Sequence, residues 1–383
     1  MKKVYDVVVY FYWAPPQAIH KFLCFHNTLK EYCNVLTIIG EGEFGITREQ
    51  FDFFETKYKD GVVLQPMEEA LQTLKNIDYK IAIFSSNGRK GFVNPDGSEP
   101  PALGSRHPGV GKDIQIAKEK GAVTIQVSEM ITDFYYAGAD IVSLISPSMR
   151  RFHTDPNYFN THHRYQWRPF DARPEPKYIH SNCLLWDNVD NCLPAMTKKE
   201  FCLKYNLDET KDILLYLPTS PAHAILGAAK EAYIKAAKLD NIIIKLHPKE
   251  YCRIASGRLD HRWSHELCGV NNVPILDPLD THWAYKYAAL AMTNQSSISL
   301  EMCLYNTPCL YIQPPRFPWS SLFFKFADRV SLDEIDLYIK NKEYEKTTKN
   351  LDELCDIILT DRKKTSIQIL SEQIKEMLND NLR

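Results

Sequence analysis

What the chain lacks narrows its class first. Across 383 residues there is no apolar run of about 18 residues, the length a helix needs to cross a bilayer, so nothing is expected to span a membrane. No C-x-x-C pair occurs among the ten cysteines, and many of them sit inside apolar segments. Reduced thiols in a cytoplasmic protein are expected, not a disulfide framework. Strong charge of either sign is missing too. The formal net charge of −2 gives no whole-protein grip on nucleic acid and leaves only local basic patches for that purpose. There is no internal repeat of fixed period and no low-complexity tail. The opening MKKVYDVVVYFYWAPP pairs two lysines with an apolar run, but Asp6 and Pro15-Pro16 break it. A first buried strand is expected there, not a signal peptide.

What is present is the composition of a soluble globular protein, 44% hydrophobic and 25% charged, with length for two domains that each hold a core. Two series of alternating strands and helices appear, the mark of parallel sheets. The first runs through strands at 4–11, 34–39, 61–64, 79–84, 122–127 and 140–145, with helices at 18–31, 67–75 and 112–120. A long Gly/Pro-rich loop at 85–111 interrupts it, and loops of that length are usually functional. Between Pro147 and Pro176 the pattern gives way to proline, aromatics, arginine and histidine. The second series follows, with strands at 178–182, 213–217, 242–246, 273–276, 290–293 and 309–312. Its helices fall at 198–205, 221–238, 281–287 and 297–305, and a last one at 365–382. The expected fold class is α/β: two Rossmann-type parallel-sheet domains facing a cleft, 1–177 and 178–383, with the last helix able to pack back on the first domain.

Ligands of such sheets bind beyond the carboxyl ends of the strands, and the second series ends its strands in small, hydroxylated or cationic residues. DILLYLPTS leads to Thr219 and Ser220, and IIIKLHP ends in Lys245 and His247. LAMTNQSSISLEMCL holds Ser296 and Ser297 at a helix start, with Glu301 one turn in. Hydroxyls and helix-start N–H groups suit a phosphate, and the carboxylate suits ribose hydroxyls. The ordinary alternative is a capped helix start with a capping-box acid. Lys245 and His247 would neutralise charge on a departing diphosphate. Asp277, in an Asp-Pro turn, would frame a base through its backbone.

These residues resemble the nucleotide-binding half of GT-B glycosyltransferases. In pattern they are most similar to the CDP-glycerol glycerophosphotransferase family of teichoic-acid synthesis. The matching residues are His180-Ser181-Asn182 with Asp187, Lys199-Glu200-Phe201, and Tyr216-Leu217-Pro218-Thr219. Lys245-Leu246-His247-Pro248, the stretch from Asp280 to Tyr287, and Ser296-Ser297 with Glu301 complete the match, over roughly residues 178–314. The chain departs from the family where the turn lacks its glycine and arginine. Asn294-Gln295 replaces the usual acid before the serine pair, and the first half has no clear His-Gly motif. The resemblance therefore implies the GT-B fold and an activated nucleotide donor, UDP- or CDP-linked, with no tightly bound cofactor. A sibling, the non-hydrolysing UDP-N-acetylglucosamine 2-epimerase, normally opens with G-T-R-P-E after its first strand, where this chain has FYWAPPQ.

Transfer to a hydroxyl needs a group that takes its proton. Glu129, after the strand at 122–127, is the preferred base, with Asp133 and His107 as further candidates. Tyr12, Trp13 and His20 would line the acceptor side. Arg150, Arg151, Arg164, Arg168 and Arg173 interleave with Tyr158, Phe159, Tyr165 and Trp167. Such a stretch packs a connector between domains or grips an anionic polymer or DNA acceptor. His261, His265 and Cys268 share a helical face and are zinc-type donors, but Arg258, Arg262 and Trp263 interleave and no fourth ligand lies near. An exposed amphipathic helix, without metal, is expected. The resulting expectation is a nucleotide-sugar-dependent glycosyltransferase or polyol-phosphate transferase. The competing readings are a wall- or capsule-polymer transferase, a phage-type glycosyltransferase of hydroxymethylated DNA bases, the epimerase, and a catalytically silent nucleotide-binding protein.

Overall fold

The computed structural model describes residues 3–11, 18–41, 46–52, 60–85, 92–93, 110–128, 136–149, 175–187, 190, 195–219, 226–247, 250, 264–294, 296, 298–313, 327–346 and 351–380. The chain forms two compact units, Met1–Asp187 with Ile357–Arg383, and Asn188–Asp356. Each is built on one parallel sheet, as the alternating pattern predicts.

In the first unit seven strands lie side by side. They are β1 (Val4–Phe11), β2 (Val35–Gly40), β3 (Val62–Gln65), β4 (Asp78–Ser85), β7 (Val123–Val127), β8 (Ile141–Leu144) and β9 (Lys177–His180), in the spatial order β3-β2-β1-β4-β7-β8-β9. Every pairing among them is parallel. The centre is apolar on both faces because a parallel sheet is covered on both sides: Val7, Val8, Val9, Ile81, Ala82 and Ile83 are all buried. A short antiparallel pair, β5 (Phe92–Val93) and β6 (Val110–Gly111), lies between β4 and helix Lys112–Glu119. On helix Ile19–Lys30 the buried His26 is satisfied by Thr37 Oγ1 at 3.0 Å and the Asp60 carbonyl at 2.8 Å. Gly61 beside it has φ +87°, and a Cβ there would lie 3.0 Å from the His26 ring.

The second unit carries β10 (Ile213–Tyr216), β11 (Ile242–Ile244), β12 (Ala288–Thr293), β13 (Cys309–Ile312) and β14 (Asp328–Val330), in the order β11-β10-β12-β13-β14, again all parallel. One face of this sheet packs Leu214, Tyr216, Ile244, Met292, Leu310 and Ile312 into a core with Ala232 and Tyr233 of helix Gly227–Ala236.

Three expectations are corrected. The strand read at 178–182 pairs with β8 and completes the first sheet, so it does not open the second series. The segment read as a strand at 273–276 makes only a single bridge, Ile244 to Ile275. Pro274 has no N–H to continue a ladder. Finally, the chain leaves the first unit after Asp187, beyond the boundary placed at residue 177. The Pro-rich composition marks an irregular stretch, whereas the boundary is fixed by bonds to residues far away in sequence. Asn182 Nδ2 donates to the carbonyls of Asp361 and Lys364, each at 2.8 Å, and Asn182 Oδ1 accepts from the N–H of Thr360 and of Asp361. Asp187 accepts the N–H of Ser366 at 2.6 Å and of Ile367 at 2.7 Å, capping helix Ser366–Asp380. That helix lies against Ile19–Lys30, where Tyr32 donates to the Ser371 carbonyl at 2.8 Å.

Burial pushes the Asp187 carboxyl up to about 7, against the two N–H bonds and the Lys21 charge that pull it down. Its folded value is above the ordinary carboxylate range, so the unfolded chain gives up this proton first. The group's contribution to stability is complete in acid and is lost as pH rises through about 7. Asp187→Asn removes that titration. Between pH 5 and pH 8, conditions chosen around that value, thermal melts should show a smaller fall in midpoint for the variant than for the parent; equal falls would contradict this assignment.

Candidate functional site

β10 comes first in its series yet lies between β11 and β12, so the chain order reverses at the β10/β12 junction. That junction is the switch point where open parallel sheets bind ligands, beyond the carboxyl ends of the strands. Because all five strands run the same way, the segments that follow them emerge at one edge. They carry Thr219 after β10, Lys245 and His247 after β11, and Ser296 after β12.

The backbone ladder continues past the named strands. Leu217 N–H donates to the Met292 carbonyl at 2.8 Å, and Lys245 N–H to the Tyr216 carbonyl at 2.9 Å. Thr293 stands opposite Tyr311. Residues level with one another on adjacent parallel strands share a face, and successive residues alternate. Since Tyr216, Ile244, Met292 and Leu310 face one core, the next level up faces the other way. It consists of Lys245, Leu217, Thr293 and Tyr311, a row across four neighbouring strands. All four are buried, including the lysine at 7% exposure. An ammonium is expensive to bury unless it is paired.

The Tyr311 hydroxyl donates to the Ser296 carbonyl, which fixes the start of helix Ile298–Leu304 over this row. Ser296 Oγ accepts the Ile298 N–H at 3.3 Å, the ordinary capping role, and Glu301 is half-buried in the first turn. Thr219 is buried and His247 half-buried, with the Glu250 N–H donating to the His247 carbonyl at 2.8 Å.

Asp277 is exposed and occupied in its own turn. Its carboxylate accepts the Leu279 N–H at 2.9 Å, and its carbonyl accepts the Asp280 N–H at 2.9 Å. Its own N–H donates to the Tyr205 hydroxyl at 3.1 Å. The Pro278 carbonyl is occupied as well, accepting from Thr281 Oγ1 at 2.8 Å. Tyr205 in turn donates to Asp280, which also pairs with Lys204. Burial and the Asp280 bond hold that phenol far above its usual range.

Two features escaped the sequence reading. Asn294, buried at 2% exposure, donates through Nδ2 to the carbonyls of Ile312 at 2.9 Å and Gln313 at 2.8 Å, tying the end of β12 to the end of β13. Gln313 is held there in the left-handed region at φ 43°. A polar residue directly after an apolar strand was the available signal. The second is a polar network around the buried His282 on helix Thr281–Tyr287. His282 meets Asp190 at 2.6 Å and the Tyr305 hydroxyl at 3.1 Å, and Lys286 reaches Asp190 at 2.9 Å. Burial alone would raise the Asp190 carboxyl, but its bonds to His282 and Lys286 outweigh that and hold it low.

The candidates His107, Glu129, Asp133, Ser220 and Ser297 lie outside the described residues, as do Tyr12, Trp13, His261 and the Arg150–Arg173 stretch. His20 stands in the first turn of helix Ile19–Lys30. Cys268 packs in the core of the second sheet. Among the described residues no group of three or more His, Cys, Asp or Glu side chains is placed to hold a metal ion, and no helix is long and apolar enough to cross a membrane.

The Asn294 tie makes a direct prediction. Asn294→Asp has no N–H to give the two carbonyls and buries a carboxylate beside them, at an expected cost of about 3 kcal/mol. Urea unfolding of the variant checks this, and an unchanged midpoint would contradict the tie.

No protein-family model matches the sequence, and no curated protein matches it at a significant level. Solved structures do match. An S. aureus MnaA–UDP co-structure is similar at TM-score 0.56 and 12% identity, over 99% of this chain and 97% of that one. UDP-GlcNAc 2-epimerase from Neisseria meningitidis, bound to UDP-GlcNAc, is similar at TM-score 0.56 and 10% identity, over 98% and 100%. The wall teichoic acid polymerase TagF with CDPG is similar at TM-score 0.54 and 11% identity, over 99% of this chain and 89% of that one. At these identities the likeness is one of fold. Two parallel-sheet α/β units and these neighbours together give the chain a GT-B fold.

Proposed function

We propose that the chain is a nucleotide-sugar-dependent transferase of the GT-B type, which moves a glycosyl or polyol-phosphate group from a nucleoside-diphosphate donor to an acceptor hydroxyl. The observation that carries this reading is the row of Lys245, Leu217, Thr293 and Tyr311 beneath the switch point, with Ser296 fixed above it. The neighbours of the same fold were solved with UDP, UDP-GlcNAc and CDPG, which supports a UDP- or CDP-linked donor.

In this reading the second unit holds the donor's diphosphate. Lys245 and His247 neutralise charge on the leaving group, a nucleoside diphosphate in glycosyl transfer and a nucleoside monophosphate in polyol-phosphate transfer, and Thr219, Ser220, Ser296 and Ser297 supply hydroxyl and backbone contacts. Glu301 takes the ribose hydroxyls, and the turn at Asp277 borders the base. Proximity does much of the remaining work, since holding two reactants in line removes the entropy of their encounter. The first unit presents the acceptor, and Glu129 receives the proton of its hydroxyl, with Asp133 and His107 as the further candidates. The Arg150–Arg173 stretch suits an anionic acceptor, polymer or DNA. No tightly bound metal is required, because the phosphate charge is met by side-chain cations and N–H groups.

A second reading, UDP-sugar 2-epimerisation, has the Neisseria meningitidis structure in its favour. Against it stands FYWAPPQ after the first strand, in place of the epimerase sequence.

Thermal shift with UDP, CDP, GDP and ADP, and with the matched nucleotide sugars, tests the donor site on the parent chain and Glu301→Ala. A ligand at about 100 times its Kd adds about 2.7 kcal/mol of stability. Stabilisation by UDP or CDP that is selective over GDP and ADP, and much reduced in the variant, is expected. No stabilisation by any nucleotide would overturn the reading. Products followed by proton NMR separate the two reactions, since an epimerase converts the free nucleotide sugar without any acceptor.

A further inference from the structure

Thr293 ends β12 at the switch point, is fully buried, and has no hydrogen-bond partner for its hydroxyl among the described residues. Leaving such a group unsatisfied costs stability, and each instance in a folded protein calls for an explanation. Packing does not supply one. Valine has nearly the same shape, favours strands at least as well, and would carry no unpaired hydroxyl. The other residues of AALAMT are apolar, so the threonine is the exception in its own strand.

Its surroundings point to an anion. The parallel register puts Thr293 on the same face as Lys245, two strands away with Leu217 between them, and as Tyr311 on the adjoining strand. Neighbouring strands are about 4.8 Å apart, so a lysine side chain two strands away is long enough to meet an anion that lies across the row. Tyr311 spends its hydroxyl on the Ser296 carbonyl, and Asn294 spends its amide on the end of β13. Thr293 is therefore the hydroxyl of this row still without a partner among the described residues, on the same face as a buried lysine and below a chain segment that both neighbours hold in place.

We infer that the Thr293 hydroxyl donates to a phosphate oxygen of the nucleoside diphosphate, with Lys245 balancing the charge. This rests on the reading of the second unit as a nucleoside-diphosphate site. The ligand-free chain keeps an unpaired hydroxyl, at a cost to its stability, so that the bond forms only when the diphosphate arrives.

The test compares the full chain with Thr293→Val and Thr293→Ser, by thermal melts without ligand and by calorimetric titration with UDP, CDP and inorganic pyrophosphate. Thr293→Val should raise the ligand-free midpoint and weaken both the nucleoside diphosphate and pyrophosphate about tenfold, the worth of one such bond. Thr293→Ser, which keeps the hydroxyl, should bind close to the parent. Unchanged binding by Thr293→Val overturns the inference while leaving the donor reading intact. So does a lowered ligand-free midpoint, which would make the hydroxyl structural, or a loss confined to the nucleosides, which would move the contact off the phosphate. If the parent binds pyrophosphate but no nucleoside diphosphate, the donor reading fails and the anion contact stands or falls on the variants. If it binds neither, both fail.

Discussion

The parallel register of the second sheet is the constraint on which the candidate site depends. Lys245, Thr293 and Tyr311 belong to three strands separated by long stretches of chain, and nothing local brings them together. They come to share one face because β11, β10, β12 and β13 pair in parallel register, and because the backbone ladder runs on past the strands through Leu217 and Lys245. A slip of one residue in any pairing would turn its side chain to the opposite face. The apolar residues one level below, Tyr216, Ile244, Met292 and Leu310, guard against that slip, since it would move them out of their core. Core packing and site geometry are thus set by the same pairings.

The edge above that row is pinned by side chains that give up their polar groups to the backbone. Asn294 binds two carbonyls at the end of β13, and Tyr311 binds the carbonyl of Ser296. This explains a departure from the glycerophosphotransferase pattern, which has an acid before the serine pair. A carboxylate at 294 could accept hydrogen bonds but could not donate to Ile312 and Gln313. Here the position serves to hold the edge.

Much of the fold is legible in the sequence because parallel strands buried on both faces leave short, continuous apolar runs: VVVYF, ILLY, III, CLYI. The helices between them are legible for the same reason, in reverse. Less could be read where a long-range bond decides the outcome. Lys177–His180 is short and only half-buried, and its place in the first sheet depends on pairing with β8. The limit of the first unit depends on Asn182 and Asp187 reaching residues 360–367. DRV, at Asp328–Val330, is too short to stand out as a strand at all. The site shows the same division. Lys245, His247, Thr219 and Ser296 announce themselves as polar residues after apolar runs, whereas Thr293 gains significance only once its row is known. On the first unit's side, Glu129, Asp133 and His107 follow from the sequence pattern alone.

Hydrogen–deuterium exchange of the full chain, with and without saturating UDP or CDP, addresses the central claim most directly. A diphosphate at the switch point should slow exchange in peptides covering 217–219, 245–247 and 293–298, the segments that emerge together at the edge of the second sheet. Protection confined to the first unit, or none in these three segments, would contradict the placement of the donor.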